Sequence, residues 1–365
     1  MDVYKRLAKK LDELPQGFPS TDTGVELRIL QIIFSPEDAE MALQMTPAPE
    51  TAEQVAARLS KPVEETRAML DQMAEKGQIG SLSIGGQQVY RLIPFVIGIF
   101  EFQRKERLTK ELAELIEEYG PHLMKVTGGH APHIARVIPV NAAIPTDLQV
   151  LQQDDIRQII NNAKSFRVQD CICRKEKNLL GDPCKHSIHN CIQYSMEENA
   201  FDYFNPEGEI ITREEALQIL EKNSQEGLVH TTYNIMNVPG GFLCSCCSCS
   251  CAMIRALKEF KAPYMIAKSN YMAHIDEDAC IACGICRDER CPMDAIANED
   301  GEFRVLKERC IGCGVCIITC PSKALSLIER PVHERDPIAT DVTEWGKMRM
   351  ENRMHDEQKT QSVPK

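Results

Sequence analysis

The sequence lacks any long apolar run. Its longest, residues 92–100, is nine residues and contains Pro94, far short of the roughly 20 that a membrane-spanning helix needs. The N-terminus carries neither a charged-then-apolar leader nor a twin arginine, so a soluble, cytoplasmic chain without membrane insertion is expected. Positive charge is also scarce: 42 Lys and Arg face 54 Asp and Glu, a net charge of −12. Such a chain does not seek nucleic acid or anionic lipid by bulk electrostatics. A partner protein with a basic docking face suits it better. Phosphate-cradling loops are missing as well. Gly85-Gly86, Gly128-Gly129 and Gly240-Gly241 lack the spacing of a nucleotide or flavin fingerprint, so any such cofactor would sit in a partner.

What the chain has in excess is cysteine, 17 in 365 residues. In a reducing cytosol that count points to metal rather than disulfides. Eight cysteines form two runs: Cys280, Cys283, Cys286 then Cys291-Pro292, and Cys310, Cys313, Cys316 then Cys320-Pro321. Thiolates at i, i+3 and i+6 lie on one tight loop and grip three irons of a [4Fe–4S] cube. Gly284, Gly312 and Gly314 between them tolerate positive φ and let backbone N–H groups approach the inorganic sulfides. Zinc ribbons also use Cys-x2-Cys pairs. The third cysteine and the closing Cys-Pro, both occurring twice, favour cubes.

The runs repeat at an offset of 30 residues, each preceded by a strand-like stretch (272–275 and 303–306) and followed by a helical turn. Over 270–330 the chain resembles the bacterial dicluster ferredoxins. That resemblance implies a ferredoxin-like domain in which each cube takes its fourth thiolate from the other run. One cube would use Cys280, Cys283, Cys286 and Cys320; the other, Cys310, Cys313, Cys316 and Cys291. One departure stands out. Four residues, Arg287-Asp288-Glu289-Arg290, separate Cys286 from Cys291 where three are usual, and the extra charged residue is expected to bulge outward.

The other nine cysteines lie upstream: Cys171, Cys173, Cys184 and Cys191, then Cys244, Cys246, Cys247, Cys249 and Cys251. Crowded free thiols oxidise readily, so metal is again the economical account, with one or two additional [4Fe–4S] clusters expected here. The simplest partition puts Cys171, Cys173, Cys184 and Cys191 at one site and four of the 244–251 set at another. Mixed sets fit equally well, and a single shared site, or zinc in one of them, competes. Arg174 is placed to donate to cluster sulfur or to pair with a carboxylate. His186 and His189 could each replace a thiolate at a cluster and raise its potential, though a hydrogen-bonding or capping role is favoured, and His130 and His133 are read as loop residues rather than ligands. Adjacent Cys246-Cys247 is similar to the paired cysteines of heterodisulfide-reductase-type noncubane clusters, but Ser248 stands where those have glycine, and that reading is set aside. The order CxCR…C…C, CxCCxC, dicluster ferredoxin resembles a group of multi-cysteine ferredoxin-domain proteins of strict anaerobes, over roughly 150–330, and implies redox work.

Residues 24–94 read as helices followed by a hairpin. Thr23-x-x-Glu26 is a capping box, Ser35-Pro36 caps a segment over 36–45, Thr51-x-x-Gln54 is a second box, and Ser60 caps a helix over 61–76. Two strands alternate around Gly85-Gly86. The pattern resembles the winged helix-turn-helix fold. Its last helix carries Glu64, Glu65, Asp71 and Glu75 against Lys61, Arg67 and Lys76, which favours protein docking over DNA. A charged helix is expected over 101–119, broken by Pro121, and further helices over 155–166, over 213–221 behind Thr212, and over 342–354. Trp345 is a candidate anchor, and disorder is expected beyond His355.

The expected fold is α+β and multidomain: a winged-helix-like domain (1–100), a helical connector (101–150), a cysteine-rich α+β region (151–268), a dicluster ferredoxin domain (269–331) and a charged tail (332–365). The leading expectation is an iron–sulfur electron-transfer protein or electron-delivering subunit relaying low-potential electrons. Two alternatives remain: a small-molecule reductase working at the central cysteines, and an iron–sulfur redox-sensing regulator. No catalytic residue is assigned.

Overall fold

The computed structural model describes residues 2–140, 143, 154–202 and 208–361. Five helices open it: α1 (Val3–Asp12), α2 (Val25–Ile33), α3 (Pro36–Gln44), α4 (Ala52–Leu59) and α5 (Val63–Glu75). The hairpin β1 (Gly80–Ile84) and β2 (Gln87–Arg91) follows. α1, absent from the sequence expectation, buries Tyr4, Leu7, Ala8 and Leu11, the i, i+3, i+4, i+7 stripe of an amphipathic helix. Ser35 caps α3 with Pro36 in its first turn, and Thr51 and Gln54 form the capping box of α4.

Two helix starts differ from the sequence reading. Glu26 accepts from Thr21 N and Oγ1, so no Thr23 box forms, and left-handed Gly24 precedes α2 without a side-chain cap. Ser60 closes α4 in the left-handed region instead of opening α5, which starts behind Pro62. Proline disfavours helical geometry in the residue before it, so Lys61 cannot begin a helix. The hairpin turns at Gly85 and Gly86, with φ of 57° and 77°, as a two-residue primed turn requires.

α6 (Lys110–Thr127) starts later than expected and runs through Pro121 to Gly128. The lost proline donor is tolerated because Tyr119, Leu123 and Met124 continue the buried stripe on both sides of it. Beyond it come β3 (Ala135–Ile138), α7 (Ile156–Asn162), β4 (Ser165–Asp170), α8 (Ile172–Leu179), β5 (His189–Ser195), β6 (Glu209–Ile211) and α9 (Arg213–Gln225). Then follow β7 (Val229–Tyr233), β8 (Ile235–Asn237), β9 (Gly240–Cys246), α10 (Ala252–Lys258) and β10 (Ile266–Ala267). The expected helix over 155–166 ends early because Phe166 and Val168 are buried on a strand. Thr212 and Glu215 do form a capping box for α9. Seven strands make one sheet, in the order β10-β3-β7-β9-β5-β4-β6. Only the β10–β3 pair is parallel. β3 thus reaches the sheet from the stretch read as a connector.

At the C-terminal end, β11 (Tyr271–Ile275) pairs with β14 (Leu325–Glu329), and β12 (Ile296–Glu299) with β13 (Glu302–Val305). β15 (Ala339–Asp341) runs parallel to β8 and leads into α11 (Val342–Gln361). Trp345 is buried and donates to His133 O at 2.9 Å. Arg349, 1% exposed, donates to the carbonyls of Pro15, Thr127, His130 and Pro132. Anchored this way, α11 continues past His355 to Gln361, where disorder was expected; residues 362–365 lie outside the described ones. Among the described residues no helix is long and apolar enough to cross a membrane.

Candidate metal centres

The loops after β11 and β13 carry the two C-terminal cysteine runs. Cys280, Cys283, Cys286 and Cys320 line one cavity; Cys291, Cys310, Cys313 and Cys316 line the other. Each cavity draws three thiols from one run and the fourth from its partner. The two cavities are alike in size, as an internal repeat requires. Glycine is obligatory at position 312: φ is +70°, and a Cβ there would lie 2.1 Å from Tyr271 O. Backbone amides point at the thiols, Ala295 N to Cys291 Sγ at 3.2 Å and Ala273 N to Cys310 Sγ at 3.5 Å. Burial pushes Cys313 up to about 12 and Cys286 up to about 11, the latter with help from Cys283 and Cys280. Thiols this crowded ionise together only around a cation.

The cavities differ in exposure. Cys283 is exposed with Cys280, Cys286 and Cys320 half-buried, whereas Cys310, Cys313 and Cys316 are buried. The extra residue before Cys291 is taken up by a wide turn, Cys286–Arg290, closed by Cys291 N to Cys286 O at 3.0 Å. It does not simply bulge outward. Arg287, Asp288 and Glu289 face solvent, but Arg290 turns in and donates to Gln225 O (2.8 Å), Ser224 O (3.0 Å) and Val315 O (3.2 Å). It brackets the buried cavity to the end of α9. Spacing alone signalled an anomaly here but not its use.

A family model described as "4Fe-4S dicluster domain" matches residues 272–321. The chain carries a 4Fe-4S dicluster domain. Over 54 residues it is 41% identical to the electron transport protein HydN of Escherichia coli, covering 14% of this chain and 31% of that one. Over 46 residues it is 50% identical to an uncharacterized ferredoxin of Methanocaldococcus jannaschii, 13% of this chain and 30% of that one. A ferredoxin of Pyrobaculum islandicum is 42% identical over 53 residues, 14% of this chain and 49% of that one. The chain thus spans about a third to a half of the length of these relatives. No solved structure gives a significant match.

Upstream of the dicluster domain, the nine remaining thiols collect around the end of β9. They do not follow the segment-by-segment partition; the sheet mixes the segments. Six form a string of contacts: Cys171 with Cys173, Cys173 with Cys251, Cys251 with Cys246, Cys246 with Cys244, and Cys244 with Cys191. β5 lies beside β9, which brings Cys191 to Cys244. β4 delivers Cys171 to the start of α8, and Cys251 starts α10. The neighbouring Cys244 thiol holds Cys191 and Cys246 below the usual thiol range, and Cys244 itself is raised by the same two neighbours. Thr231 Oγ1 lies 3.6 Å from Cys246 Sγ, and Gln169 Nε2 lies 3.7 Å from Cys191 Sγ.

The other three separate from this string. Cys184 Sγ lies 3.7 Å from Cys247 Sγ and 3.4 Å from Cys249 Sγ. Between the two groups sits Arg174, 1% exposed, donating to Ser187 O and Ser245 O. Its charge is stabilised by Cys171, Cys247 and Cys246, against the cost of burial. It meets sulfur and carbonyls rather than a carboxylate. His189 Nδ1 pairs with Asp170 at 2.9 Å, and His186 Nδ1 lies 3.9 Å from Glu226. Two acids near the thiols went unnoticed in the sequence. Burial raises Glu176 to about 8, with Glu117 adding to it, and raises Glu101 to about 7, with Cys191 adding to it. Glu176 stands three residues past Cys173 on α8, a weak signal; nothing in the sequence marks Glu101.

Proposed function

We propose that this protein is an iron–sulfur electron carrier or electron-delivering subunit of a cytoplasmic redox system. The observation that carries the reading is the pair of matched four-thiol cavities, one exposed and one buried. Cys280, Cys283, Cys286 and Cys320 would hold the outer cube, and Cys291, Cys310, Cys313 and Cys316 the inner one. When bound, each cube supplies a reversible one-electron couple. The protein holds the thiolates, aims amides at them and sets access. The exposed 280–286 loop, with Ile281 63% exposed beside Cys283, is the face a redox partner would meet. Arg290 fixes the inner cavity against the central region, so electrons would pass inward. There the string Cys171, Cys173, Cys191, Cys244, Cys246 and Cys251 would hold at least one further cluster.

The N-terminal helices and hairpin serve in this reading as a winged-helix-like docking module, with boundaries near residues 100, 150, 268 and 331. Similarity to proteins named for electron transport and as ferredoxins supports the assignment. Iron and acid-labile sulfide counts on anaerobically purified protein test it. About eight irons per chain means the dicluster domain alone, and about twelve or more means central clusters too. Clearly fewer than about eight after reconstitution would sink it.

A second reading, a small-molecule reductase acting at the central thiols, draws support from Glu101 and Glu176, whose raised pKa values suit proton delivery. Turnover of a reducible substrate by this protein with dithionite alone would favour it. Turnover only with a second protein present would favour the carrier.

A further inference from the structure

Three of the central thiols are held in a way that none of the other fourteen cysteines shares. The Sγ atoms of Cys184, Cys247 and Cys249 all lie within 4.8 Å of one another, and among the described residues no other three Cys, His, Asp or Glu ligand atoms do so. Their edges of 3.4 and 3.7 Å are close to the edge of about 3.8 Å for a tetrahedron of sulfurs around zinc at a Zn–S distance of about 2.3 Å. The eight dicluster thiols instead line two four-thiol cavities in which no three thiols lie within 4.8 Å of one another. No three thiols of the six-thiol string lie within 4.8 Å of one another. Both arrangements suit an inorganic cluster; the tight triangle suits a single ion.

We propose that Cys184, Cys247 and Cys249 bind one zinc ion, separate from the iron–sulfur sites, with a fourth position open to an incoming soft ligand such as a thiol. Cys247 and Cys249 lie in the turn between β9 and α10, and Cys184 reaches them from the loop between α8 and β5. The ion would therefore pin two loops that share no strand pairing. Ser250 Oγ lies 3.6 Å from Cys249 Sγ and also contacts Cys184, and His186 N–H donates to Cys184. Such outer hydrogen bonds orient thiolate ligands. Three thiolates and Zn²⁺ leave one negative charge, which the buried Arg174 guanidinium beside Cys247 balances. Cys247 is 4% exposed while Cys249 is exposed, so the open position faces outward. Zinc has no redox chemistry, and this ion would take no part in electron relay.

Metal analysis of the anaerobically purified, full-length protein tests the site. About one zinc per chain is expected beside the iron. Cobalt(II) in its place should give intense thiolate-to-cobalt charge transfer with tetrahedral d–d bands, and β-mercaptoethanol should shift those bands. Cys184→Ser and Cys249→Ser should lose the zinc and keep the iron. Cys249→His should retain it with an altered cobalt spectrum, which separates ligation from misfolding. The proposal is overturned if wild type binds no zinc or cobalt at this site. It is equally overturned if Cys249→Ser sheds about four irons instead. Failure of the electron-carrier reading would show separately, as missing iron with the zinc count intact.

Discussion

The dicluster domain and the central region hold nearly equal numbers of thiols, eight and nine, but assemble them by different means. In the dicluster domain the ligands are close in sequence, three to a loop, and the tertiary structure only has to bring one thiol across from the partner loop. In the central region β4, β5 and β9 each contribute, and thiols as far apart as Cys171 and Cys251 join one string. A local loop yields two near-identical cavities. The ends of three neighbouring strands yield two unlike groups, a string of six and a triangle of three. Regular spacing therefore reports a repeated site, and irregular spacing conceals a composite one.

The largest test of this contrast is Cys291→Ala. Because Cys291 lines the cavity opposite its own run, the variant should lose about four irons from the inner site and weaken the outer one, read by iron content and reduced EPR. Loss confined to the Cys280–Cys286 run would break the crossed arrangement. Next, Cys246→Ser should lower iron below wild type while leaving dicluster EPR signals unchanged. If iron stays constant, the central string holds no cluster, and the two regions differ in kind.

Glu176→Gln probes the acid packed near the central string. A carboxyl raised from 4.5 to about 8 is stabilising when protonated. Its contribution is fully present below about pH 4.5 and is lost as pH rises through about 8. Urea denaturation from pH 5 to 8 should therefore show a decline, on the order of 2–3 kcal/mol, that the glutamine variant flattens. A variant with an unchanged slope would place the carboxylate in water. The smallest effect is expected from Arg290→Ala. It removes donors to Ser224 O, Gln225 O and Val315 O, which should cost about 1–2 kcal/mol with iron content unchanged. A loss of inner-site iron in this variant would make Arg290 part of the cluster site rather than a bracket.

Local chemistry was legible where neighbours in sequence are neighbours in space. Ser35, Thr51 and Thr212 cap the helices they precede, and Gly85-Gly86 makes the hairpin turn. Gly312 lies where close approach to Tyr271 O excludes any side chain. Ser60 misled because capping residues look alike at either helix end, with Pro62 deciding the matter, and Thr23 misled because Thr21 takes its expected partner, Glu26. Pro121 misled because a buried stripe outweighed a missing donor. Trp345 could be singled out as an anchor, but its partner, His133 O, lies 212 residues away.

By itself, then, the sequence determined the two cysteine runs and the glycines between them, since cluster loops are built from contiguous backbone. It also determined that the remaining nine thiols crowd into two short segments. Only the tertiary structure decided how those nine divide, and that Cys184 parts company with Cys171, Cys173 and Cys191. The reason is that register between strands, not distance along the chain, sets which sulfur meets which. The inserted Arg290 follows the same rule. Its presence is a fact of spacing, but its hold on the end of α9 is a fact of folding.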